Sequence, residues 1–315
     1  MSTIWFLGEA LIDFVPTQSD YGPAFAPRPG GSPFNATKAA AQAGADARFL
    51  GAISTDMFGE TLLDELKAHG VGTDSTPRTD APSTLAFVKL TNGIARYAFF
   101  NNQSATATMN PDPGAFRPGA GDIVSFGSIS LIDKPGADAI AAFALAQGDE
   151  TLVALDPNAR TSMTHDVPAW RARIGAMTEK AGLIKLSDED LEAIAPGATP
   201  DAYAQERLTA GAGLVLFTVG DGGVHGYCKS GQVHVPARQT TIVDTVGAGD
   251  TLMGGVLAEL ILRELNTPSK LQAIDLDALE AALKFAVTAA SINCERSGCN
   301  PPKRQEVLDT MAAEA

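Results

Sequence analysis

Residues 243–260 read Val-Asp-Thr-Val-Gly-Ala-Gly-Asp-Thr-Leu-Met-Gly-Gly-Val-Leu-Ala-Glu-Leu. A polar, glycine-rich turn, Thr245 to Gly249, runs straight into a helix that carries an acid, Asp250, in its first turn. Gly247, Ala248 and Gly249 have almost no side chain, so their backbone N–H groups can come close to a ligand. A helix N-terminus adds unpaired donors and a partial positive charge, which together form an anion site. A carboxylate beside such a site reads either as an ordinary first-turn acid or as a group that handles a proton during chemistry on the anion. Three small residues in a row favour the second reading, and phosphoryl transfer to a hydroxyl is the chemistry that uses both parts. The helix dipole is expected to lower the pKa of Asp250 and make it a weak base. That suits a loose phosphoryl-transfer transition state, in which the proton leaves late.

Other loops could complete such a site. Gly30-Gly31-Ser32-Pro33-Phe34-Asn35 precedes a helix. It reads as a loop with an Asn cap, or as a backbone that a polyol can approach, with Asn35 offering an amide. Asp13 follows the first strand, where open α/β sheets bind ligands, and a carboxylate there can orient two hydroxyls. Arg160, in Asp156-Pro157-Asn158-Ala159-Arg160, is a planar fork suited to phosphate or sugar oxygens, or else a surface arginine. Lys185 reads as a strand-end lysine or a phosphate contact.

Several alternatives are excluded by what is missing. No GxxxxGK[ST] and no His-Arg-Asp loop occurs, and Gly220-Asp221-Gly222-Gly223 precedes a hairpin, not a helix. A formal charge of -14 argues against nucleic acid and anionic membranes as partners, and requires a metal and local donors for any phosphate-bearing substrate. The three cysteines Cys228, Cys294 and Cys299 form no CxxC. They fit a reducing, cytoplasmic setting. The N-terminal stretch reads as a first strand, not a signal peptide, and no apolar run approaches a membrane span.

The elements that must hold these residues alternate. Strands are expected at Ile4–Leu7, Arg48–Ile53, Ile123–Phe126, Leu152–Leu155, Leu183–Lys185 and Leu214–Val219. Helices are expected at Asn35–Ala43, Phe58–His69, Pro135–Gln147, Pro168–Lys180, Asp188–Ile194, near Ala202–Ala210, and as two long closing helices at 250–264 and 276–294. This predicts an α/β fold with a mostly parallel central sheet in a single unit over 1–315. Leu85–Leu90 and Ile94–Phe100 flank Asn92-Gly93, a strong hairpin signal, and read as a small β lid. A second hairpin is expected over Gly223–Val235.

Taken together, Gly30-Gly31-x-x-x-Asn35 and Asp244-Thr245-x-Gly247-Ala248-Gly249-Asp250 resemble the PfkB (ribokinase-like) carbohydrate kinases, from about Gly8 to Pro302. Within that family, Gly8-Glu9-Ala10-Leu11-Ile12-Asp13 and Gly31-Ser32-Pro33-Phe34-Asn35-Ala36 are most similar to bacterial fructokinases. The resemblance implies a three-layer α/β/α ribokinase-like fold with a β lid from segments around 12–30 and 84–110. It implies an ATP-dependent, Mg²⁺-assisted kinase of a sugar's primary hydroxyl. Asp250 would be the catalytic base, with Gly247, Ala248 and Gly249 as the anion hole. Asp13, Gly30, Gly31 and Asn35 would hold the sugar. Thr218, Gly220 and Gly223 match the nucleotide loop, and adenine would lie near Val287, Ala290 and Asn293. The family's Asn-x-x-Glu appears as Ser187 and Asp190, implying a water-bridged Mg²⁺ at Asp190. Relatives that bind K⁺ place it by the anion hole; here backbone groups of Asp244, Val246, Asn293, Arg296 and Gly298 would serve. Where fructokinase-like lids show Phe-Tyr-Arg, this chain has Phe99-Phe100-Asn101. The lost arginine disfavours carboxylate-bearing sugars and leaves Asn101 as a hydroxyl contact. A neutral hexose, fructose first, is expected. The alternatives are a kinase of a nucleoside, ribose or 2-keto-3-deoxygluconate, against the first of which polar Asn101, Asn102 and Gln103 argue, and a non-catalytic sugar or nucleotide sensor on the same fold, against which Asp250 and its glycines argue. A lid carrying Leu85, Phe87, Tyr97 and Phe99 would offer an apolar face for a homodimer.

Overall fold

A computed structural model of the chain describes residues 2–91, 94–114 and 116–314, and the counts of elements refer to those residues. The Asn92-Gly93 turn lies outside them. In chain order the strands are β1 (Ile4–Leu7), β2 (Leu11–Ser19), β3 (Gly22–Gly30), β4 (Ala47–Phe49), β5 (Ile53–Ser54), β6 (Arg78–Thr79), β7 (Thr84–Thr91), β8 (Ile94–Phe100), β9 (Ile123–Gly127), β10 (Leu152–Asp156), β11 (Leu183–Ser187), β12 (Leu214–Thr218), β13 (Val224–Cys228) and β14 (Gly231–Val235). The helices are α1 (Ser32–Gln42), α2 (Met57–Ala68), α3 (Gly136–Leu145), α4 (Val167–Lys180), α5 (Asp188–Ile194), α6 (Pro200–Ala210), α7 (Ala248–Leu262), α8 (Pro268–Gln272), α9 (Leu276–Cys294) and α10 (Arg304–Ala313).

Eight strands form the main sheet in the order β14-β13-β12-β11-β10-β9-β1-β4. It is parallel from β4 to β12, and the β12–β13–β14 edge is antiparallel. Ile4–Leu7, Ile123–Gly127 and Leu152–Asp156 are buried at every position, as expected of strands covered on both faces. One apolar cluster lies under α1, α7 and α9, the other under α3, α4 and α6. Helix α7 is buried at every position from Asp250 to Leu260 and packs between α1 and α9. Met253, Val256, Leu257 and Leu260 are each at most 1% exposed and contribute roughly 1.5–3 kcal/mol apiece. This anchors the helix whose N-terminus carries Asp250.

The smaller sheet has the order β3-β2-β7-β8. It is built from 11–30 and 84–100, while 101–110 form turns. Alternation gives it two faces. Leu11 and Ala86 face the main domain, with Ile129, Phe99 and Met163 against them. On the other face Phe14 stacks on Phe87 at 4.5 Å, and Phe58, Phe25 and Phe100 meet this pair edge-on. The apolar face thus differs from the one expected. Leu85 packs into the main core and Phe99 turns inward. Phe25 and Phe100 on the strands and Tyr21 in the β2–β3 turn are exposed aromatics, and the Tyr97 side chain lies outside the described residues.

Some expected bounds move for physical reasons. Helix α1 begins at Ser32, because Pro33 is tolerated in a first turn, so Asn35 lies within the helix and is not its cap. The strand expected at Arg48–Ile53 is split into β4 and β5 where Gly51 packs against the Gly8 carbonyl. Helices α8 and α10 were not anticipated. No helix among the described residues is long and apolar enough to cross a membrane.

Candidate active site

Parallel strands deliver their carboxyl ends to one edge of the sheet, and the order reverses where β1 lies between β4 and β9. Ligands of open α/β sheets bind outside such a point. A cleft of about 680 Å³ lies there, lined by Glu9, Asp13, Gly31, Ser32, Asn35, Arg160, Lys185, Ser187, Asp190, Thr218 and the turn Thr245 to Asp250. The small sheet roofs it with Leu11 and Phe99. A second cavity of about 770 Å³ is lined by Gly220, Gly223, Ile242, Leu252, Val287, Ala290 and Cys294. The two share Thr218, Thr245, Ala248 and Gly249, so they meet at the start of α7.

At that junction Gly247 is the N-cap of α7 with φ +75°, and a Cβ there would sit 2.3 Å from Cys299 Sγ. Asp250 is 7% exposed. Its carboxylate accepts the Ser32 hydroxyl at 2.6 Å and the Asn35 amide at 2.9 Å. Burial raises its pKa, against the lowering effects of Ser32, Asn35, Lys185 and Arg160. This runs against the weak base expected from the helix dipole: desolvation outweighs the hydrogen bonds and neighbouring cations, which makes Asp250 a better proton acceptor than an exposed carboxylate. The Ala248 N–H donates to Thr245 O at 3.2 Å, so an anion hole here relies on Gly247 and Gly249 more than on Ala248.

Asp13 lines the cleft from β2, and burial pushes its pKa up to about 6. Gly31, at φ +109°, packs on the Glu9 carbonyl, where a Cβ would approach to 2.7 Å. Gly30 does not line the cleft. It is buried opposite Leu11, and its bareness leaves room for the Asp13 carboxylate. Asn35 donates to Asp250, while its Oδ1 is buried with no partner.

Lys185 Nζ donates to Asp156 Oδ2 at 2.7 Å, and both side chains are nearly inaccessible. Burial works against the ammonium, but Asp156, Asp190 and Asp250 outweigh it and its pKa is raised. Burial lifts Asp156 to about 6, below neutrality, so the pair is ionised at pH 7. A Cβ on Gly249 would lie 3.4 Å from Lys185 Nζ, which places this cation beside the turn. Arg160 lines the cleft with an exposed guanidinium that donates to the Asn158 and Ala159 carbonyls.

Ser187 and Asp190 form a capping box at α5. Asp190 Oδ2 accepts the Ser187 N–H and hydroxyl at 2.7 Å, and its Oδ1 accepts the Ala159 N–H at 2.6 Å. Both oxygens are thus engaged within the chain, which leaves their remaining lone pairs for a water. No group of three His, Cys, Asp or Glu among the described residues could hold a metal directly.

Two expected contacts are displaced. Asn101 is buried away from the cleft: its amide donates to Asp133 and its carbonyl accepts Thr84 and Ser104 hydroxyls. With Asn102 and Gln103 it lines a neighbouring cavity, so the cover above the cleft is apolar and not polar. Asn293 is fully buried and does not line the second cavity. Its amide donates to Val246 O at 2.9 Å and its Oδ1 accepts the Asn300 N–H at 2.8 Å. Asp244 accepts the Val246 and Gly298 N–H groups, so Asp244, Val246, Asn293 and Gly298 form one hydrogen-bonded knot beside the turn. Arg296 joins it through its N–H to Asn293 O, while its guanidinium points away to Glu306.

Among the cleft residues not singled out from the sequence, two bear on the acid directly or through one neighbour. Ser32 binds Asp250, and Glu9 lines the cleft. Both lie inside motifs already quoted, but only folding shows that Ser32 reaches an acid 218 positions away.

The model of the pfkB family carbohydrate kinases matches residues 1–306. A fructokinase from Rhizobium leguminosarum bv. trifolii is 40% identical over 276 residues, covering 86% of this chain and 84% of its own. The crystal structure of a fructokinase with bound ATP from Xylella fastidiosa superposes with a TM-score of 0.89 at 28% identity, covering 99% of this chain and 98% of that one. A fructokinase from Vibrio cholerae O395 in a fructose-, ADP- and calcium-bound form shares the fold, with a TM-score of 0.82 at 22% identity over 98% of each chain. The two clefts meeting at a buried acid and the match over nearly the whole chain lead to one assignment: the chain belongs to the pfkB family of carbohydrate kinases.

Proposed function

We propose that the chain transfers the γ-phosphoryl group of ATP to a primary hydroxyl of a neutral sugar, fructose first. The observation that carries this is Asp250 standing where a polar cleft and an apolar-walled cavity share Thr218, Thr245, Ala248 and Gly249. The sugar lies in the first cleft. Asp13 accepts its hydroxyls, and the unpartnered Asn35 Oδ1 takes another. Ser32 and Asn35 each hold one oxygen of Asp250, leaving lone pairs that face the acceptor hydroxyl. ATP lies in the second cavity, with adenine near Val287 and Ala290 and the phosphates reaching Gly247 and Gly249. Lys185 and Arg160 offset the charge of the phosphates locally, against a chain of formal charge -14. As the hydroxyl attacks the γ-phosphorus, its proton passes to Asp250 and ADP leaves. Mg²⁺ neutralises phosphate charge when bound. The donors here suit an ion carried in by the triphosphate and held through water at Asp190.

Among the described residues, four acids, Glu9, Asp13, Asp190 and Asp250, face two cations, Arg160 and Lys185, in the sugar cleft. This balance supports a neutral acceptor over a carboxylate-bearing one. Fructose is supported by the names of the similar enzymes. A second acceptor class is favoured by one observation: Leu11, Phe99, Ile129 and Met163 form an apolar cover that would suit a nucleoside. ADP release measured against a panel of sugars and nucleosides decides between them. Turnover with fructose above all others supports the proposal, and selective turnover of a nucleoside overturns it. The same panel with and without K⁺ tests the Asp244–Asn293 knot as a cation site. The exposed Phe25 and Phe100 support a homodimer through the small sheet, which sedimentation checks.

A further inference from the structure

Glu9 lines the sugar cleft yet has no part in the reaction described above. It follows β1 and is 1% exposed, with no cation bonded to it. Its Oε1 accepts the Ser32 N–H at 3.1 Å and its Oε2 the Ser130 N–H at 3.2 Å. The Ser128 side chain and the residue's own N–H also face it. One carboxylate thus ties together the end of β1, the first residue of α1 and the 3-10 turn Ser128–Leu131 that follows β9. Ser32 in turn donates its hydroxyl to Asp250. Only an acceptor with two oxygens can meet two opposed N–H donors, so the choice of an acid at a dry position has a geometric reason.

We infer that Glu9 is a positioning residue: its carboxylate fixes Ser32, and through Ser32 the orientation of the Asp250 carboxylate. The inference rests on Asp250 being the proton acceptor. Burial pushes the Glu9 pKa up to about 7, so the charged form, the stronger acceptor, is lost just below neutrality. The groups that face Glu9 are Ser32 from α1 and Ser128 and Ser130 from the turn. The titratable groups of the same cleft are Asp13, Arg160, Lys185, Asp190 and Asp250.

The test is a double-mutant cycle of Glu9→Gln and Ser32→Ala, with kcat, both KM values and the pH profile of kcat. A glutamine must turn its amide N–H₂ toward one of the two donors. Each single variant is expected to lower kcat on the order of tenfold, the size of one hydrogen bond to a charged group. The double variant should be no worse than the poorer single, and KM for ATP should not change. The ionisation near pH 7 in kcat should vanish in Glu9→Gln, and that of Asp13 near pH 6 should remain. Additive losses, or an unchanged ionisation near pH 7, overturn the inference. If melting shows that Glu9→Gln does not fold, Glu9→Asp enters the same cycle, since its shorter chain keeps the charge but cannot span both donors. Failure of the underlying reading is distinguishable, because it would appear as an active Asp250→Asn enzyme.

Discussion

Replacing Gly247 by alanine perturbs the turn before α7 in two separable ways. The residue sits at φ +75°, where an L side chain costs on the order of 1 kcal/mol. The added Cβ would also lie 2.3 Å from Cys299 Sγ and 2.6 Å from its Cβ. Cys299 has little freedom to withdraw, because its carbonyl accepts the buried Lys38 ammonium at 3.0 Å and the next N–H, of Asn300, is held by Asn293 at 2.8 Å. Overpacking of this kind costs about 1–3 kcal/mol. The sum, about 2–4 kcal/mol, corresponds to a fall in melting temperature on the order of 3–6 °C for a chain of this size. The first-turn N–H groups must shift with the turn, and mispointing donors at a developing charge lowers kcat on the order of a hundredfold. Differential scanning fluorimetry and ADP release read the two effects. Adding Cys299→Ala should return the packing share of the stability and leave the φ share. A Gly247→Ala enzyme with wild-type melting and turnover, or a double variant no better than the single, would refute this account of the turn.

Lys185→Met removes one partner of a buried pair and leaves Asp156 uncompensated, which should destabilise the chain by about 3–5 kcal/mol in denaturant melts. Adding Asp156→Asn should restore most of that stability without restoring turnover, since the cation proposed to meet the phosphates is still missing. For Asp13, the folded pKa of about 6 lies above the ordinary value of 3.8, so its contribution to stability is fully present below about pH 4 and is lost as pH rises through 6. Asp13→Asn should therefore be more stable than wild type at pH 8 by roughly 3 kcal/mol, with the gap closing toward pH 4, while its sugar KM rises steeply. Phe87→Ala removes the ring at the centre of the aromatic cluster on the small sheet. Weaker sugar binding and more ATP hydrolysis without sugar are expected from the loosened cover; unchanged kinetics would show that the sheet does not act as a lid.

The residues that were readable from the sequence are those whose chemistry is set by the local backbone. Gly247, Gly249 and Asp250 announce a helix N-terminus with an acid, because small residues and a first-turn position need no tertiary information. The parallel strands were visible for a similar reason: burial on both faces leaves continuous apolar runs such as Ile4–Leu7 and Leu214 to Phe217. What the chain hides is set by tertiary partners. Asn101 looks like a pocket amide, but Asp133 and Thr84 claim it. Asp250 looks acidified by its helix, but burial reverses the direction. Helix α10 went unread because Val307 is its one fully buried residue, leaving almost no apolar stripe. Strands β2 and β3 are legible only through the family resemblance, which places a β lid around 12–30, because prolines at 16, 23, 27 and 29 disguise the local pattern, and such residues are tolerated where a partner or an edge leaves the N–H unused.

The central claim is that Asp250 accepts the proton of the sugar hydroxyl, and Asp250→Asn addresses it most directly. Asparagine keeps the size of the side chain, and the contacts with Ser32 and Asn35 can be kept by rotating those groups. ADP release with fructose should fall by several orders of magnitude, while calorimetry should show the sugar and ATP still bound within about tenfold of the wild-type affinities. An Asp250→Asn enzyme that turns over at a rate near that of the wild type would contradict the account.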